Sequence, residues 1–319
     1  MKVLVSLNIP KIGIDMLRKE GLEVTVWEDD ELMSQEELLT ATQKNDILLS
    51  ASPYHLNSEF LSRNPQLRLI SQYAVGYDNI DLRKAHEMGI LVANTPHAMV
   101  EATADIAFAL LLASSRKLFF MHKRIIADEW GAFRPQAHLG RELKGLTVGI
   151  FGMGRIGAAF AARCKGAYDM TVLYHNRTRN VLAEKDVGAK YVSFDELLRQ
   201  SDIISVHCAL TPETTEKFNA ATFGLMKPSS IFLNTARGGI HNEADLINAL
   251  RNREIWGAGL DVTNPEPMQS DNPLLFMENV AVSPHIGSAT LEARNEMSRL
   301  AALNIIQYVR GEQISNQVV

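Results

Sequence analysis

The hexapeptide Gly152-Met153-Gly154-Arg155-Ile156-Gly157 constrains the fold of this chain more than any other stretch. It follows a β-branched run, Thr147–Phe151, and opens an alanine-rich segment, so it reads as the turn of a strand–loop–helix unit. The three glycines serve different ends. Gly152 permits a tight turn, Gly154 lets backbone approach a pyrophosphate, and Gly157 lets helix and strand pack closely. Arg155 and Ile156 fall in the first helical turn, where free backbone N–H groups and the positive end of the helix dipole attract phosphate. A unit of this kind belongs in a parallel sheet, and it predicts a dinucleotide ligand.

The rest of the chain agrees with that sheet. Strand-like runs precede the loop at Lys2–Asn8, Glu23–Trp27, Asp46–Ser50, Arg68–Tyr73 and Ile90–Asn94. Others follow at Met170–Tyr174, Asp202–Cys208, Ser230–Thr235, Trp256–Asp261 and Val280–Ser283. Helical segments such as Ile12–Glu20, Ser34–Thr42 and Leu82–Glu87 separate the early strands, which implies βαβ crossovers throughout. Two longer helices are predicted, one from Glu101 to about Ile126 and one from about Leu291 to Val309, the latter stopping at Gly311. Within the first, Ala107–Ala113 is apolar on nearly every face, so it is expected to be buried as core, between domains or between subunits.

A length of 319 residues favours two domains over one, and 46% apolar residues suffice for two cores. The formal charge of −5, with both signs scattered, offers no basic face for nucleic acid or an anionic membrane. No uncharged apolar run reaches about 18 residues, the length needed to span a bilayer. Met1–Leu7 reads as a strand rather than a signal peptide. Cys164 and Cys208 lie in apolar stretches and are expected as reduced, buried thiols, which fits a cytoplasmic protein.

The end of the second strand of a dinucleotide-binding unit usually carries an acid for the adenosine ribose. Here the strand runs into Asn176-Arg177-Thr178-Arg179, and the first acid afterwards is Glu184. Without a carboxylate there is no repulsion against a 2′-phosphate, and Arg177 and Arg179 can bind one. NADP is therefore favoured over NAD.

Three later strands each run into a loop with one reactive side chain: Arg237 in Asn234–Gly239, Glu266 in Leu260–Pro267, and His285 in Ser283–Thr290. Ligands of open parallel sheets bind beyond the carboxyl ends of strands, so these loops should converge on the cofactor. Reduction of a 2-oxo acid needs a cation for the carboxylate, a proton donor for the developing alkoxide and a partner to hold that donor. Arginine, histidine and glutamate supply those parts, and no metal is called for.

Taken together with Tyr73–Asp81, Asn94-Thr95-Pro96 and Glu101–Asp105, these segments make nearly the whole chain resemble the D-isomer-specific 2-hydroxyacid dehydrogenases. Leu260–Pro267 and Pro284–Thr290 resemble the glyoxylate/hydroxypyruvate reductase branch in particular. The resemblance implies an α/β fold of two Rossmann-like or flavodoxin-like parallel-sheet domains. A dinucleotide domain at residues 99–285 would be inserted into a substrate domain made of 1–98 and 286–319. It also implies that Arg237 anchors substrate, that His285 is the acid/base, and that Glu266 orients it. Backbone amides at Val75 and Gly76 would hold the substrate carboxylate, Asp261 would sit near the nicotinamide, and Ala209, Thr235 and Gly287 would touch the cofactor. Relatives are usually homodimers, and Phe133 stands where some carry a tryptophan thought to reach the partner's active site. A phosphoglycerate-type enzyme of the same frame, a formate dehydrogenase and a dinucleotide-sensing corepressor are the rival readings. The formate enzymes resemble a glutamine at the Glu266 position, which this chain lacks, and the corepressor needs no proton donor.

Overall fold

The computed structural model describes residues 1–29, 31–51 and 54–319. The chain forms two compact units, Met1–Met99 with Ser288–Val319, and Val100–Gly287.

The first unit holds a five-stranded, all-parallel sheet. Its strands are β1 (Lys2–Val5), β2 (Glu23–Val26), β3 (Ile47–Ser50), β4 (Leu69–Gln72) and β5 (Leu91–Ala93), in the order β2-β1-β3-β4-β5. Alternate residues point to opposite faces, and both faces are covered. Val3, Val5, Ile47, Leu49 and Leu69 pack with Ala301 and Ile305 of helix Leu291–Val309. Leu4, Leu48, Ile70 and Val92 pack on the other side with Leu38 and Phe60.

The second unit holds seven parallel strands: β6 (Thr147–Phe151), β7 (Thr171–His175), β8 (Lys190–Tyr191), β9 (Ile203–Val206), β10 (Ile231–Asn234), β11 (Gly257–Leu260) and β12 (Val280–Val282). Their order is β12-β11-β10-β9-β6-β7-β8. The chain therefore leaves β6 in one direction and returns to its other side with β9, which creates a switch point between those two strands. Val148, Ile150, Ile231 and Leu233 face a core shared with helices Val100–Ser115 and Arg155–Tyr168. Phe151, Ile204, Phe232 and Leu260 face the opposite core with Leu197, Phe223 and Leu246.

Three features differ from the sequence expectation. The helix expected from Glu101 to Ile126 is two helices, Val100–Ser115 and Leu118–Ile126, broken where Lys117 takes φ +56°. The Lys117 ammonium pairs with Glu278 at 2.8 Å and its side chain is only 10% exposed, so the break turns this cation into an ion pair. Val100–Ser115 packs its apolar residues into the core of its own unit; a Cβ on Gly259 of β11 would lie 3.0 Å from Leu110. Strand β8 is an addition of two residues, and β1 and β9 are shorter than their apolar runs because strand pairing ends before those runs do. Among the described residues no helix is long and apolar enough to cross a membrane.

Candidate active site

Gly152 follows β6 at φ +102°, and a Cβ there would lie 2.5 Å from the Cys208 amide nitrogen. The glycine loop thus packs directly on the loop after β9, at the switch point. A Cβ on Gly157 would meet the Gly152 carbonyl oxygen at 2.6 Å, which explains the third glycine by packing. Gly154 is the N-cap of helix Arg155–Tyr168; no side chain caps that helix and no acid sits in its first turn. A Cβ on Gly154 would have open space around it. Uncapped N–H groups, an exposed approach and a positive dipole end fit a pyrophosphate. Arg155 is exposed beside them and Ile156 is half-buried.

The loop after β7 is fastened to this cradle. Asn176 accepts the Met153 N–H at 2.6 Å, and both Asn176 and Asn180 donate to the Met153 carbonyl, at 3.3 and 2.8 Å. Asn176 is thereby a brace of the glycine loop. Arg177 and Thr178 are exposed, and the Arg177 charge reaches Glu213. Arg179 is engaged differently: it donates to both carboxylate oxygens of Glu184, at 3.0 and 2.7 Å. Tyr174 O–H donates to the same carboxylate at 2.6 Å. These donors hold Glu184 below the usual carboxylate range, Arg179 contributing most. Glu184, the first acid after the strand, lies in the first turn of the helix after N-cap Asn180 rather than at the strand end.

The ends of β10, β11 and β12 bring the reactive trio into one unit. His285 Nδ1 lies 2.9 Å from Glu266 Oε2, and Glu266 Oε1 accepts the Thr263 N–H at 2.9 Å. Burial works to raise the Glu266 carboxyl, but the His285 hydrogen bond, the Thr263 amide and the charges of His285 and Arg237 outweigh it. Glu266 therefore stays ionised below its ordinary range, and its acceptor role makes His285 Nδ1 the donor, with Nε2 the ring nitrogen not engaged by Glu266. His285 adopts φ +52°, a conformation that needs outside support. Asp261 provides it. The Asp261 carbonyl accepts the His285 N–H at 2.9 Å, while its carboxylate accepts Ser283 Oγ–H at 2.6 Å and the Ile286 and Gly287 amides at 2.9 and 2.7 Å. Burial pushes the Asp261 carboxyl up, against the pull of those three donors. Gly287, expected at the cofactor, gives its amide N–H to Asp261.

Arg237 stands at the start of the short Gly238–Ile240 turn, with Nη1 donating to its neighbour's carbonyl at 2.9 Å. A Cβ on Gly238 would lie 1.9 Å from the Thr263 carbonyl oxygen, so the arginine and glutamate loops touch backbone to backbone. Thr235 is buried, and its hydroxyl has no hydrogen-bond partner among the described residues. Ala209 is exposed, and its carbonyl accepts Thr214 Oγ1–H at 2.8 Å. Val75 and Gly76 belong to the other unit, where Asn94 Nδ2 holds the Val75 carbonyl at 2.8 Å. Phe133 lies past helix Leu118–Ile126 and is 90% exposed. Both cysteines are free; Cys164 is buried and Cys208 half-buried, and burial pushes each thiol up to about 12. No group of His, Cys, Asp and Glu suited to a metal ion occurs among the described residues.

Residues 108–287 match the family described as D-isomer specific 2-hydroxyacid dehydrogenase, NAD binding domain. The chain belongs to that family. This dehydrogenase is 44% identical to the glyoxylate reductase of Pyrococcus furiosus over 315 residues, covering 98% of this chain and 93% of that one. In structure it is similar to the TT0316 protein of Thermus thermophilus, with TM-score 0.92, 39% identity and full coverage of both chains. It is also similar to an NADPH-dependent glyoxylate/hydroxypyruvate reductase of Sinorhizobium meliloti in complex with NADP and malonate. That likeness has TM-score 0.84 and 30% identity, over 100% of this chain and 96% of the other.

Proposed function

We propose that this dehydrogenase reduces a small 2-oxo acid of the glyoxylate or hydroxypyruvate kind, reversibly, with NADPH as the preferred reductant. When bound, the reduced nicotinamide supplies the hydride. His285 Nε2 gives its proton to the carbonyl oxygen, and that proton together with the hydride at carbon completes the alcohol, two electrons and two hydrogens in all. Glu266 keeps Nδ1–H engaged and offsets the imidazolium charge before transfer. Arg237 binds the substrate carboxylate and polarises the carbonyl. The single observation that carries the reading is the His285–Glu266 contact of 2.9 Å, with Glu266 held ionised.

The NADPH preference rests on Arg177 and on a strand end whose nearest acid, Glu184, is occupied by Arg179 and Tyr174. The reductase of S. meliloti, solved with NADP, supports it by likeness. A cytoplasmic, homodimeric enzyme completes the proposal. Two free thiols suit the compartment, and Trp130 and Phe133, 81% and 90% exposed, are apolar surface for a second copy to cover.

Steady-state kinetics with glyoxylate, hydroxypyruvate, pyruvate and longer 2-oxo acids, each with NADPH and NADH, test the activity. Oxidation of neither cofactor with any of these acids would overturn it, and a tenfold preference for NADH would overturn the cofactor assignment. Sedimentation of wild type and Phe133→Ala, alongside their relative efficiencies among the acids, tests the dimer.

A further inference from the structure

Two buried polar side chains outside the reactive trio are joined by a hydrogen bond, and one of them bonds the arginine loop. Asn234 closes β10 and is completely buried, its position fixed by pairing with Val206 of β9 and Leu260 of β11. Its Oδ1 accepts the Ala236 N–H at 3.0 Å. Its Nδ2 donates one hydrogen to the Arg237 carbonyl at 2.8 Å and lies 3.0 Å from His241 Nδ1 with the other. Donation to Nδ1 requires the imidazole tautomer with hydrogen on Nε2, and that Nε2 is buried with no partner among the described residues. A buried donor left unmatched is costly, so the arrangement asks for a reason beyond packing.

The reason lies on the other side of the loop. Gly238 is pressed against the Thr263 backbone, and Thr263 N–H holds Glu266. Arg237 is thus gripped on one flank by Asn234 and abuts, through Gly238, the loop that carries the partner of His285. We infer that Asn234 and His241 form a positioning pair that fixes where the Arg237 guanidinium meets the substrate carboxylate relative to His285. Neither touches substrate; both act through the Arg237 main chain. Burial pushes the His241 imidazole down to about 4, so it stays neutral and its Nδ1 remains an acceptor across the working range. The inference rests on the proposed role of Arg237 as the substrate anchor.

The test is made on the whole enzyme. His241→Leu removes the acceptor, His241→Gln restores one through its amide oxygen, and Asn234→Ser keeps an acceptor for Ala236 N–H but cannot span to Arg237 and His241. A displaced anchor weakens ground state and transition state alike, so KM should move more than kcat. The expected rise in KM for glyoxylate is about 5- to 30-fold in His241→Leu and Asn234→Ser, the factor for one lost buried hydrogen bond. The kcat should stay within about threefold, NADPH affinity by fluorescence titration within about twofold, and His241→Gln near wild type. If His241→Leu does not fold, Asn234→Ser carries the same expectation. Unchanged KM in the folded variants overturns the inference, as does a parallel loss of NADPH affinity, which marks collapse of the loop. Arg237→Ala separates the two levels: if it too leaves KM and kcat intact, the proposed function fails with the inference. If it is crippled while the other variants are normal, the inference fails alone.

Discussion

Glu266→Gln removes one charge and little volume, and the structure fixes what happens next. The remaining carbonyl oxygen suits the Thr263 amide, whose N–H lies 2.9 Å from Glu266 Oε1. The new NH2 then faces His285 Nδ1, where the carboxylate oxygen stood at 2.9 Å. A donor meets the side of the ring that should itself donate, so the imidazolium loses an opposite charge and a hydrogen bond together. Opposite charges about 4 Å apart attract by ~4 kcal/mol at an effective dielectric of ~20 and by ~1 kcal/mol in bulk water. With side-chain exposures of 50% for His285 and 38% for Glu266, screening by solvent places this pair towards the lower figure. A loss of ~1.5–2 kcal/mol in favour of the charged ring corresponds to a roughly 10- to 30-fold weaker preference for it. The sign follows from which form reacts. Reduction needs the protonated ring, so the alkaline limb of kcat/KM for glyoxylate should move to lower pH. Oxidation needs the neutral ring, so its acid limb should move down too. Because wild-type Glu266 is held ionised below its ordinary range, its own protonation does not enter at neutral pH. The assay is kcat/KM in both directions from about pH 5 to about pH 10, spanning the histidine range, in buffers of constant ionic strength. Profiles that superimpose on wild type would refute the coupling.

His285→Ala should lower the rate of reduction by roughly 10²–10⁴-fold, as for a lost general acid, with NADPH affinity by titration nearly unchanged. Glu184→Gln releases Arg179 from its two-point carboxylate pair, so NADPH should bind several-fold tighter and NADH should not; equal changes for both would disprove competition for Arg179. Gly157→Ala puts a methyl 2.6 Å from the Gly152 carbonyl, and lifting the helix should weaken both cofactors about tenfold and cost ~1–3 kcal/mol of stability in thermal melts.

Fold class was legible because a parallel sheet covered on both faces demands short β-branched runs separated by helix-length connections, and the chain supplies them with little ambiguity. The extra length of runs such as Asp202–Cys208 was misleading for a simple reason: apolar residues after a strand also line the loop that packs beneath the glycine turn. The break at Lys117 left no mark in the apolar pattern, since Leu118, Phe119, Ile125 and Ile126 continue the helix rhythm while remaining largely exposed. The proposed catalytic trio stood out because each member follows a strand end. Its supports did not. Asn234 bonds the Ala236 amide and the Arg237 carbonyl, His241 bonds Asn234, Ser283 bonds the Asp261 carboxylate and the Thr263 amide holds Glu266, and such pairings exist only once the sheet has set the register. The pairing of Glu184 with Arg179 was hidden likewise, by the helix turn that brings the two together.

The order of the second sheet explains why cofactor recognition and chemistry can be altered separately. The glycine loop follows β6 and rests on the loop after β9, while Arg237, Glu266 and His285 follow β10, β11 and β12. Neighbouring strands are ~4.8 Å apart, so from the β6/β9 switch to β11 the sheet spans roughly 10–12 Å. In the proposed mechanism, phosphate affinity is set by backbone amides at the end of β6 and proton transfer by side chains after β11 and β12, three and four strands along the sheet. Between them lie Asn234 at the end of β10 and Asp261 just past the end of β11, both buried and both bonded to the loop that follows their own strand or its neighbour. A change at Gly157 should travel along its helix to the phosphates and leave the His285–Glu266 pair alone. A change at Asn234 should do the reverse, because it is anchored in the sheet and its side chain bonds the loop that carries Arg237.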